Sequence, residues 1–168
     1  MTGTTMRRVG VVIASISLLG AVTASARANK FHPQDANGLE ALVQRITLAK
    51  GDNNTVLKPI ISQHDFETVS CLEAINQALD SCYSYVTTIL TLIRISSSME
   101  TSVDEVTVNG YLADELTYAL KLLPLDRQGV NNNVGYCGRS AVIATRAQVA
   151  LSILEDGERI LLWLSRRR

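Results

Sequence analysis

The residues best equipped for chemistry in this 168-residue chain are three cysteines, Cys71, Cys82 and Cys137, and two histidines, His32 and His64. A thiolate beside an imidazole can act as a nucleophile, and mixed Cys/His sets hold soft metals. Neither histidine stands in an H-x-x-x-H or H-E-x-x-H spacing and no C-x-x-C pair occurs, so no standard zinc or haem-attachment pattern is present. Cys71 and Cys82 are eleven residues apart. On one helix they share a face but lie about 16 Å apart, beyond the ~7 Å Cα separation that a disulfide spans. A bridge within the chain therefore has to join Cys137 to one of them.

Which one depends on the elements that carry them, and the apolar spacing points to four helices. Leu39, Leu42, Val43 and Ile46 predict a helix over 36–50, with Asp35 or Asn37 as cap and Gly51 as stop. Asp52-Asn53-Asn54 and Pro59 make 51–62 read as a loop. Ile75, Leu79, Cys82, Val86, Ile89 and Ile93 step by three and four along a second helix, 65–97. Ser102-Val103-Asp104-Glu105 has the form of a capping box and opens a third, 102–123, carrying Leu112, Leu116, Ala119 and Leu123 up to Pro124. Asn109-Gly110 marks a kink in it or a later start near Tyr111, and 124–138 reads as irregular. Ile143, Ala147, Ala150, Leu154, Gly157, Leu161 and Leu164 define the last helix, 139–165, if Asp156-Gly157 does not break it. No segment reads convincingly as a strand, so the expected fold is all-α, a single up-and-down four-helix bundle.

In such a bundle the second and fourth helices run the same way, and Cys137 lies just before the fourth, at the level where the second begins. Cys71 is about 9 Å along the second helix and Cys82 about 25 Å along it. The expected bridge is Cys71–Cys137, which leaves Cys82 as a buried free thiol. His64 falls near the same level, so reduced Cys71 and Cys137 with His64 would be a Cys/His set; in an oxidising compartment the disulfide is the favoured state.

The compartment follows from the first 28 residues. Arg7 and Arg8 precede fourteen uncharged residues, Val9–Val22, and then small residues with two A-x-A sites, Ala24-Ser25-Ala26 and Ala26-Arg27-Ala28. Fourteen residues of helix reach about 21 Å, short of the roughly 30 Å hydrocarbon core, so 1–28 reads as a secretory signal peptide rather than an anchor. The second site leaves Asn29 first. Removing Arg7, Arg8 and Arg27 leaves thirteen cations against sixteen anions, a net of −3, and no later segment is apolar for long enough to span a bilayer. The expected location is secreted or periplasmic. Balanced charge over the whole chain, 16 Lys+Arg against 16 Asp+Glu, argues against nucleic-acid binding.

Ala78-Leu79-Asp80-Ser81-Cys82-Tyr83 resembles a segment of the plant invertase and pectin methylesterase inhibitors, exported helical bundles of this size. The resemblance covers that segment alone, and the early cysteine pair of the family is absent. It implies a secreted enzyme inhibitor as one reading. Gly138-Arg139-Ser140 is no nucleophile elbow, and no G-K-[ST] follows Gly135 or Gly138. The pairs Asp104/Glu105, Asp114/Glu115 and Glu155/Asp156 are neighbours in sequence, so on a helix they diverge rather than form acid/base dyads. Asn53-Asn54-Thr55 matches a glycosylation sequon. Arg166-Arg167-Arg168 suits a helix C-terminus and is a candidate polyanion contact.

No catalytic residue, cofactor or metal is assigned. The leading expectation is a non-catalytic binding or structural module whose partner is a protein or a small apolar ligand. For the ligand, Ala147, Ala150 and Gly157 could leave a cavity in the bundle interior. Non-reducing peptide mapping of the exported protein should find Asn29 first, Cys71 joined to Cys137, and Cys82 alkylated only after unfolding. A Cys82–Cys137 peptide would reject the helix-level argument.

Overall fold

A computed structural model describes residues 31–63, 65–98, 102–137 and 140–167, with side chains described for all of these except 33, 102–105, 136 and 137. A 3-10 turn at Pro33–Ala36 leads into α1 (Asn37–Ser62), α2 (Phe66–Ser98), α3 (Ser102–Cys137) and α4 (Ala141–Ser165). The protein is an all-α four-helix bundle, and the described residues form no strand. The expected signal peptide, 1–28, and His64 lie outside the described residues.

Cross-helix pairs fix the topology as up-and-down. Glu40 and Lys50 of α1 meet Arg94 and Asp80 of α2, so the register falls on one helix as it rises on the other. Ser96 bonds Asn109 and Tyr85 meets Tyr118 between α2 and α3, while Arg45 pairs with Asp156 between α1 and α4. Every residue of the expected α2 and α4 stripes is buried, Gly157 included, and α4 continues through Asp156-Gly157. Asp65 caps α2: its carboxylate accepts from the Thr68 amide at 3.1 Å and from the Thr68 hydroxyl. Those bonds hold its pKa below the ordinary value.

Two helices are longer than the sequence reading has them. The segment 51–62 is not a loop: α1 runs through Gly51 to Ser62 with Pro59 in its last turns. Residues 39, 42, 46, 49, 53, 56 and 60 keep the three-four stripe unbroken, and Asn53 sits on it, 2% exposed. Likewise 124–137 is not irregular. α3 passes Pro124 because the stripe 112, 116, 119, 123, 126, 130, 134 continues beyond it, with Val130 buried and Val134 packed on the core. Burial of that stripe outweighs the lost backbone bond and carbonyl clash of an interior proline, about 3 kcal/mol. Nor does α3 start at Tyr111, since Asn109-Gly110 lies inside it.

At Gly157 all four helices converge. A Cβ there would stand 3.4 Å from Cys82 Sγ of α2, 3.4 Å from Leu42 Cδ2 of α1 and 3.8 Å from Leu123 Cδ1 of α3. One methyl fits at ordinary contact distance; nothing larger does. At Gly51, by contrast, an added methyl would meet nothing within 4 Å. Urea titrations should show Gly51→Ala stabilising by up to about 1 kcal/mol, the helix-propensity gain, and Gly157→Leu destabilising by about 1–3 kcal/mol through overpacking. A loop at 51–62 would leave Gly51→Ala without that gain.

Candidate ligand-binding site

The longer α1 brings a polar position into the bundle beside α4. On α4, Arg146 follows Ile143 by three residues and precedes Ala150 by four, so it flanks the buried stripe and is itself half-buried. Its Nη1 donates to Asn53 Oδ1 at 3.2 Å; Asn53 Nδ2 donates to Asn76 Oδ1 at 2.8 Å, and Asn76 Nδ2 to Asn54 Oδ1 at 3.4 Å. The ladder ties α4 to α1 and α2 and satisfies the buried amide, as burial demands. It leaves Arg146 Nε buried with no hydrogen-bond partner among the described residues.

Beside this ladder a pocket of about 500 Å³ opens between α1 and α4, within the usual size range for small-ligand sites. Ala49, Asp52 and Asn53 line it from α1, and Val142, Thr145, Arg146 and Val149 from α4. Val142 and Val149 are 45% and 46% exposed, so the apolar wall is open to solvent. The α4 N-cap, Ser140, makes no side-chain cap bond and no acid lies in the first turn, so the positive end of the helix dipole adds to the field of Arg146.

A second polar feature lies on α3. Asp126 takes the α3 stripe position between Leu123 and Val130, its Oδ2 buried without a partner among the described residues. Burial raises its pKa above the ordinary 3.8. Cys82, 0% exposed, is pushed up to about 12, first by burial and then by the Asp126 carboxylate. Tyr85 is raised by the same two causes, partly offset by a hydrogen bond with Ser81. A thiol in that state stays protonated at neutral pH and is a poor nucleophile.

Of the residues singled out from sequence, Cys82 is the free cysteine among those described, and it is buried. Cys71 is buried near the start of α2 and is not a free thiol; Cys137 ends α3, its side chain outside the described residues. Arg166 is exposed at the α4 C-cap. Arg167 pairs with Asp35 and lies over the Trp163 ring, 4.6 Å from its centroid, while Arg168 is outside the described residues. Ala147 and Ala150 are fully buried on the α4 stripe. Neither they nor Gly157 lines the α1–α4 pocket. Among the described residues no three His, Cys, Asp or Glu side chains group as a metal set, and no helix is long and apolar enough to cross a membrane.

The sequence reading placed Asn53 in a loop and a glycosylation sequon, and it missed Arg146 and Asp126. Extending the three-four stripes past Gly51 and Pro124 would have placed Asn53 and Asp126 inside. No family model, curated protein or solved structure matches the chain.

Because the fold raises the Asp126 pKa, the group favours the native state most when its carboxyl is protonated, and that contribution is lost as pH rises through the folded-state value. Thermal melts across acid to neutral pH should show Asp126→Asn gaining on the parent as pH rises, with the least difference at the acid end. A constant difference would place Asp126 in water. In the same native protein, maleimide should label Cys82 only as fast as the bundle opens.

Proposed function

We propose that this chain is an exported helical bundle that acts by binding, without catalysis, and that the pocket between α1 and α4 is where a small ligand sits. The observation that carries the reading is the pocket itself: an open apolar wall of Val142 and Val149 ending at a half-buried guanidinium whose Nε has no partner among the described residues. A few convergent polar groups at the end of an apolar surface are the usual make-up of a small-molecule site. The raised pKa of Cys82 also weighs against thiol chemistry in the core.

The reading differs from an interior carrier in its location. Where Ala147, Ala150 and Gly157 face the core they serve close helix approach, and the ligand is taken at the groove instead. Export rests on the leader-like first 28 residues. A Cys71–Cys137 bridge would staple α2 to the end of α3, whose antiparallel register brings its last turn to the level of Cys71.

A fragment library screened by amide-shift NMR on the chain from Asn29 onward should produce hits that move the Ala49, Asn53, Val142 and Val149 resonances together. A library that leaves those four amides still would end the reading.

A further inference from the structure

Two opposite charges line the pocket, Asp52 from α1 and Arg146 from α4. Neither takes part in an ion pair among the described residues, although ion pairs there join α1 to α4 at Arg45–Asp156 and α3 to α4 at Arg127–Glu158. Arg146 is pinned along one edge by Asn53 while its Nε, buried, has no partner among the described residues. The small and branched side chains of Ala49, Val142 and Val149 line the same pocket.

Each simple ligand class fits this set differently. A neutral apolar molecule would cover the wall yet make no bond with Arg146, and it would strip water from Asp52, which costs free energy. A monoanion would pair with Arg146 but lie in a pocket shared with the Asp52 carboxylate. A molecule with a carboxylate, an ammonium and a hydrocarbon group uses all three features. We propose that the pocket binds a small zwitterion with an apolar side chain, the chemistry of a free apolar α-amino acid. Its carboxylate meets Arg146, its ammonium meets Asp52, and its side chain lies along Val142 and Val149. The proposal rests on the small-ligand reading above and adds the charge pattern of the ligand.

Calorimetry with norleucine, N-acetylnorleucine and norleucine amide tests it, since the last two lack the ammonium and the carboxylate respectively. Norleucine should bind, and each analogue should bind about tenfold more weakly or worse, the loss of one charge-assisted hydrogen bond. In Asp52→Asn, norleucine and N-acetylnorleucine should converge while the amide remains weaker. In Arg146→Gln, norleucine and its amide should converge instead. Asp52 is exposed, so its variant keeps the fold and decides the matter should Arg146→Gln not fold. Absence of norleucine binding, equal binding of the three compounds, or an unchanged preference in Asp52→Asn would overturn the proposal. Fragments that shift the pocket amides alongside such a result would leave the small-ligand reading intact, whereas still amides would remove both.

Discussion

The four helices are held at one depth by a missing side chain. Gly157 lets α4 settle against Cys82, Leu42 and Leu123, one residue from each of the other helices, at distances where a single methyl is the most that fits. Close packing of this kind transmits any change in volume to every neighbour. Cys82 is sealed there, which is why its thiol holds its proton. Leu123 is fixed one residue before Pro124, so α3 is anchored just where its backbone bonding is weakest.

From that depth outward the bundle treats its polar stripe positions in two ways. Asn53 is fully enclosed, and its amide gives and receives hydrogen bonds across three helices. Asp126 is only half enclosed and keeps one oxygen without a partner among the described residues. The first is a neutral group whose bonds are made, so it costs little and adds geometric definition. The second is a carboxyl whose charge the surroundings oppose, so its protonation state and the stability of the fold are linked. The pocket grows from the satisfied ladder, since Asn53 holds the Arg146 guanidinium in place while leaving part of it open.

The fold class and the whole of the α2 and α4 stripes were legible in the sequence because their apolar residues recur without interruption. The ends of α1 and α3 were not. Gly51 and Pro124 are strong local breakers, and each is followed within two residues by a polar residue standing on the stripe, Asn53 and Asp126. Local preference and tertiary burial conflict at both places, and burial wins. The candidate site suffered the same loss. Asn53 and Arg146 are 93 residues apart, and their meeting depends on an α1 long enough to reach the first turns of α4. The cationic end was visible as three consecutive arginines, but that Arg167 would fold back onto Asp35 and Trp163 depends on the antiparallel register of α1 and α4.

That last contact has a topological meaning. Asp35 and Arg167 are separated by 132 residues along the chain and touch in space, so the path of the described backbone returns nearly to its starting point. A short flexible linker could close it into a loop with little added chain entropy to overcome. The bundle could then be opened between two other helices, such as α2 and α3, giving a circular permutant with the same neighbours. The order in which the four helices are synthesised is in this sense separable from the architecture they make.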